Sequence, residues 1–159
     1  MLFKSLDHFY GTKSNFDALL KLISRKSTKG VSLRLITYFF GKYSANHAIM
    51  VAVDDSMRSL HDIYQSRLST NGKAMFDAFK RSGTIVFTKH NTTINTTIAQ
   101  LAFFRDVIQF NLISLIRACL PAVKAEMAAD KKSASGTQSV RRPQAGIYIS
   151  NVPTKIKIA

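Results

Sequence analysis

The sequence predicts an α+β fold, mostly helical, with one central helix packed by three or more others, two short strands and a basic C-terminal tail. Three observations carry this prediction. Over the first 127 residues, apolar side chains recur mainly at three- and four-residue spacing, with only two short runs that read as strand. The longest apolar-rich stretch, Ile98 to Leu120, is apolar on two sides, as a helix sandwiched between other elements is. Near residue 130 the composition turns small, polar and basic, and core-forming residues give out.

The first helix is expected over 14–26. Ser14 with Asp17 is a weak capping box, and Phe16, Leu19, Leu20 and Ile23 share one face. Arg25, Lys26 and Lys29 suit its carboxyl end, and Gly30 suits the stop. A second helix, 32–41, comes from "VSLRLITYFFGKYS": Leu33, Ile36, Phe39 and Phe40 take helical spacing, and Gly41 offers a stop. Its β-branched and aromatic content makes a strand the competing reading, and its length favours the helix. "HAIMVAVDD" reads as a short buried strand at 48–53. Asp54, Asp55 and Ser56 then start a helix at 57–69, with Met57, Leu60, Tyr64 and Leu68 inward and "TNG" as its end. "KAMFDAFKR" reads as a short helix with Met75, Phe76 and Phe79 inward. "GTIVFTK" supplies the second strand, 84–88, a candidate partner for the first, and "HNTTINTT" reads as a polar loop.

In "NTTIAQLAFFRD", Thr97 followed three residues later by Gln100 is a capping box that starts the central helix, 97–120. Ile98, Leu101, Ile108, Leu112, Leu115 and Cys119 form one apolar seam, and Phe104, Val107 and Phe110 form a second side. The adjacent charges Arg105 and Asp106 must then reach solvent on a third side or meet a partner. Pro121 ends or kinks this helix, and "PAVKAEMAADKK" adds a further short one. The expected organisation is a single globular domain over 1–127, a flexible basic linker over 128–146 and an extended tail over 147–159. In that tail Ile147, Tyr148, Ile149, Val152, Ile156 and Ile158 alternate with polar residues, a pattern able to add a strand to a partner's sheet edge. An untethered chain end is the alternative.

The chain has 159 residues and a formal charge of +14, from 23 Lys and Arg against nine Asp and Glu. Such a balance favours polyanionic partners: nucleic acid, an acidic protein face or anionic lipid. Candidate contacts fall in three groups: Arg25, Lys26, Lys29, Arg34 and Lys42; Lys80, Arg81 and Lys89; and Lys131, Lys132, Arg141 and Arg142. Charge so spread suits backbone-type contact better than base reading, and no finger, basic zipper or RNA-recognition signature is present. For any single lysine a solvated face explains the charge as well.

Catalytic constellations are weak. His8, His47, His61 and His90 are far apart, and the lone Cys119 sits on an apolar helix face, where free cysteine packs inertly. His61, Asp62, Asp54 and Asp55 make a faint metal or acid–base group, explained equally by a helix amino terminus. "GTKSNF" has one glycine and no preceding apolar strand, so it is no phosphate loop. The expectation is a non-enzyme with no cofactor. One cysteine cannot form an internal disulfide, which points to a reducing compartment and away from secretion, and the two "NTT" sequons at Asn91 and Asn95 then carry no glycan. Arg105, Asp106 and Arg117 inside the longest apolar stretch argue against a transmembrane segment.

Three segments in order, "VSLRLITYFFGKYS", "FDAFKRS" and "TTINTTIAQLAFFRDVI", resemble a family of small proteins encoded by nucleocytoplasmic large DNA viruses, over about residues 9–118. The chain differs from that family's pattern at Tyr38 and Asp106, where Trp is usual, and at Ala102, where Asn is usual. No catalytic residue carries over. The resemblance implies a viral origin, with the virion or the infected-cell interior as location, and other virion proteins or nucleic acid as partners. The leading expectation is a minor structural protein of the particle. The alternative is a genome-packaging protein that grips the DNA phosphate backbone.

Overall fold

A computed structural model describes residues 2–26 and 28–140, with side chains through Lys132. The chain divides into two units, Met1–Val123 and Lys124–Ala159. The fold is α+β and mostly helical, with a buried core helix packed by several others and short antiparallel hairpins.

Helix α1 (Leu2–Tyr10), for which the sequence reading held no element, buries Leu6 and Tyr10 one turn apart. Helix α2 (Lys13–Ile23) buries Phe16, Leu19 and Leu22. The expected Ser14–Asp17 box is absent: Thr12 occupies the cap without a side-chain bond, and Asp17 pairs instead with Lys13 at 3.1 Å. Ile23, expected inward, is 40% exposed, because the helix ends there and Arg25 (φ 65°) turns the chain away.

Helix α3 (Leu33–Tyr38) is capped by Ser32, whose Oγ accepts the Leu35 N–H at 3.1 Å. Gly41 does not stop the helix as expected. The backbone passes through a π turn (Phe39–Tyr43) into α4 (Ser44–Asn46), so residues 33–46 form one continuous helical run. Glycine is needed there for packing, since a Cβ on Gly41 would lie 3.0 Å from the Tyr64 ring. The wider turn leaves the Gly41 carbonyl to His61, whose Nδ1 lies 3.0 Å away.

The two expected strands exist at Met50–Val53 (β1) and Ile85–Lys89 (β3), but they do not pair with each other. Each pairs antiparallel with the segment that follows it: β1 with β2 (Ser56–Ser59) and β3 with β4 (Thr92–Thr96). Asp54 and Asp55 are therefore a two-residue hairpin turn rather than a helix start, Met57 is in a strand, and α5 begins only at Leu60 (Leu60–Asn71). Ser59 caps it, and Gly72 (φ 82°) ends it as expected. "HNTTINTT" is a tight turn plus strand β4, whose polar outward side chains mimic a loop in sequence. The expected helix in "KAMFDAFKR" shrinks to one 3₁₀ turn (Lys73–Met75), after which Phe76 is buried and Phe79 is exposed.

The central helix 97–120 is two helices. Helix α6 (Ile98–Gln109) and α7 (Leu112–Ala118) meet at 59°, with Asn111 left-handed (φ 54°) at the break. The apolar seam continues across this corner, which is why spacing alone ran the two together. Thr97 caps α6 as expected, its Oγ accepting the Gln100 N–H at 3.2 Å. The helix buries Ala99, Leu101, Ala102, Phe103, Phe104, Asp106 and Val107. Around it lie two aromatic clusters. Phe40, Tyr64, Phe76 and Phe103 sit with ring centroids 5.0–5.9 Å apart. Phe87 of β3 meets Phe3, Tyr10 and Phe16 at 5.9–6.2 Å. Aromatic pairs at these separations add to the area they bury, so the Phe87 ring helps hold β3 to α1 and α2.

Helix α8 (Leu120–Val140) takes Pro121 into its first turn, where a missing N–H is harmless. It continues over 128–140, the first part of the expected linker, and Ala128, Ala129, Lys131 and Lys132 there are strong helix formers. Residues 141–146, and the strand expected from Ile147, Tyr148, Ile149, Val152, Ile156 and Ile158, lie outside the described residues.

Candidate polyanion interface

The chain beyond α2 folds back tightly to reach α3, and its cations are presented by that turn. The Arg25 guanidinium donates to the Val31 carbonyl at 2.8 Å, and the Thr28 carbonyl accepts the Val31 N–H at 2.8 Å. From α7, Arg117 donates to the Lys29 carbonyl at 3.2 Å. Two guanidiniums thus brace the loop while Lys21, Lys26 and Lys29 project exposed from α2 and the loop. None of Lys21, Arg25, Lys26 and Lys29 makes an ion pair among the described residues. Arg117 is the member the sequence reading missed; it is nearly ninety positions from Lys29, and only the α6–α7 bend returns it there.

The other candidate cations are scattered. Arg34 is exposed on α3, and Lys42 is exposed on the π turn. Lys80 and Arg81 stand on the loop before β3, tied by the Lys80 carbonyl to Thr97 at the amino end of α6. Lys89 is already neutralised: its ammonium lies 2.7 Å from the Asp7 carboxylate. Lys131 and Lys132 are exposed on α8, in the second unit. Arg141 and Arg142 lie outside the described residues.

Beside the corner, an open groove of about 390 Å³ runs between α2 and the α6–α7 bend, lined by Asp17, Lys21, Leu22, Val107, Asn111 and Ile113 among others. Asp17 and Lys21 place opposite charges on its wall. The faint acid–base group does not assemble: Asp54 and Asp55 are in the hairpin turn, and the His61 ring is directed to the Gly41 carbonyl. Among the described residues, no group of three or more His, Cys, Asp or Glu is placed to hold a metal ion. Nor is any single helix there long and apolar enough to cross a membrane.

Arg105 and Asp106 go separate ways. Asp106 is fully buried and takes a two-pronged bond from Arg67 of α5, Nε to Oδ2 at 2.7 Å and Nη2 to Oδ1 at 3.2 Å. Burial pushes the Asp106 carboxyl above its usual range, and the Arg67 hydrogen bond and charge pull against that shift. Arg105 reaches the Ser5 hydroxyl of α1 at 2.7 Å, while its Nε is buried without a hydrogen bond. Burial lowers the Arg105 pKa, and neighbouring Asp106 opposes that. Next to them the Tyr10 hydroxyl donates to the Leu101 carbonyl at 2.7 Å, and burial raises its pKa strongly. Apart from that Arg105 Nε, these groups satisfy one another, so the cluster locks α1, α5 and α6 together and offers little to a substrate.

A model for a family of unknown function, DUF7197, matches residues 1–145. No curated protein and no solved structure matches the chain.

Proposed function

We propose for this chain, which belongs to the DUF7197 family of unknown function, a non-enzymatic structural role in a virus particle, in which a basic surface contacts other particle components. The observation that supports this reading is the braced corner: exposed Lys21 at the end of α2, and exposed Lys26 and Lys29 on the loop that Arg25 and Arg117 bond. Backbone held at Lys29 and Val31 has less freedom to lose when it meets an anionic face. The viral setting rests on the motif resemblance. The test is incorporation of wild type and K26E/K29E into purified particles, with helix content checked by circular dichroism. Wild type is expected in the particles and the variant depleted; wild type missing from the particles refutes the reading. Deleting 147–159 tests the expected tail contacts in the same assay, and unchanged incorporation refutes them.

A second reading, grip on duplex DNA through its phosphates, is favoured by the further exposed cations at Arg34, Lys42 and Arg81. If the corner engages three or four phosphates, log affinity should fall against log salt with a slope of about −3 to −4. The absence of binding at low salt removes this reading.

A further inference from the structure

Most carboxylates of the first unit are already used inside it. Asp7 pairs with Lys89, Asp17 with Lys13 and Asp106 with Arg67, and the Asp77 carboxylate accepts the Phe79 N–H. The remaining three are Asp54, Asp55 and Asp62. Asp54 and Asp55 are the exposed tip of the β1–β2 hairpin, and Asp62 lies in the first turn of α5, its N–H bonded to Ser59 at the hairpin's base.

The same hairpin turns an apolar face to water. The register pairs Ala52 with Met57 and Met50 with Ser59 on the outer side, while Val51 faces the core. Met50 is 47% exposed and Met57 60% exposed, on a two-stranded ribbon. The hairpin's own cation, Arg58, lies opposite Val51 on the other side of the ladder.

This acidic, apolar end and the basic corner stand at the two ends of one rigid element. The helical run 33–46 leaves the corner loop at its start and delivers the hairpin at its finish, about 20 Å away at the usual helical rise. One copy cannot bring its own two ends together, but two copies can. We propose that copies of this chain associate head to tail: the Met50–Met57 face and the Asp54–Asp55 tip of one seat on the Lys26–Lys29 corner of the next. With a net charge of +14, two copies repel in most orientations, and the acidic hairpin selects the one that attracts. Such a contact joins two different surfaces, so repetition builds rings or open chains rather than closing at a pair. The inference shares the corner with the reading above and is independent of its anionic partner.

Sedimentation velocity on the full chain tests it, over about 5–500 µM protein and at low and high salt. D54N/D55K reverses the tip while respecting the left-handed backbone at Asp54, which asparagine tolerates. K26E/K29E reverses the corner. Wild type should associate with increasing concentration, and each variant alone should do so at least about tenfold more weakly. An equimolar mixture of the two variants should recover association, because the intact hairpin of one can meet the intact corner of the other. Wild type that stays monomeric overturns the inference, as does undiminished association of either variant, or a mixture no better than its parts. DNA binding separates the two readings: D54N/D55K should keep it and K26E/K29E should lose it, whatever association does.

Discussion

Replacing Arg67 by methionine should destabilise this protein substantially, and the size of the loss should depend on pH. Asp106 is 0% exposed and its partner Arg67 is 30% exposed, joined by two hydrogen bonds at 2.7 and 3.2 Å. Removing one partner of a buried pair costs about 3–5 kcal/mol, because the other charge is left without compensation. Arg67 keeps part of its guanidinium in water, which places this pair near about 3 kcal/mol, or roughly 10 °C in Tm for a chain of this size. Methionine retains much of the aliphatic volume, so lost packing is the smaller effect. The pH dependence follows from Asp106. Burial already raises its pKa above the ordinary 3.8, against the hydrogen bond and charge of Arg67 and the charge of Arg105. Without Arg67, only Arg105 opposes burial, and the pKa rises further. A carboxyl whose folded pKa exceeds its unfolded one stabilises the fold while protonated. That contribution is complete below the unfolded value and is lost as pH rises through the folded one. R67M should therefore suffer most near neutral pH and least near pH 4. Urea unfolding followed by circular dichroism, on wild type and R67M at both pH values, measures this. A loss below about 1 kcal/mol at neutral pH, or one that does not shrink in acid, refutes the account of Asp106 as a buried charge that needs Arg67.

Three further outcomes are open to the same unfolding assay. Gly41→Ala should lower stability by about 1–2 kcal/mol, because the new Cβ meets a Tyr64 ring held between Phe40 and Phe76; Tyr64→Leu in the same chain should recover part of the loss, and a stabilised G41A would contradict the packing role of that glycine. Thr97→Ala should cost about 1–2 kcal/mol, since the buried hydroxyl both accepts the Gln100 N–H and donates to the Lys80 carbonyl; hydrogen exchange should quicken first in the opening turn of α6. Tyr10→Phe should cost about 1 kcal/mol by removing the donor to the Leu101 carbonyl, and an unchanged midpoint would show that bond to contribute nothing net.

Some features were legible because they are local. The Thr97 cap needs only residues three apart, and the chain around it obeys. The inward faces of α2 and of the 33–46 run follow from spacing at three and four, and Phe16, Leu19, Ile36, Phe39 and Phe40 are all buried. Other features lie beyond any local pattern. Strand β4 is a row of threonine and asparagine whose outer side meets water, so its pairing with β3 leaves little apolar trace. The α6–α7 break is silent because Asn111 turns the backbone while the apolar seam runs on. Asp106 is plainly a charge in an apolar stretch, but its partner lies 39 residues earlier, on a helix whose spacing says nothing of Arg67. The sequence by itself determined the mostly helical character, one cap and the excess of positive charge, because propensity, spacing and net charge are short-range or additive. Only the tertiary structure decided which cation meets Asp106 and which loop Arg117 braces. Those facts depend on distances between elements, and burial, by making an unpaired charge costly, is what selects among them.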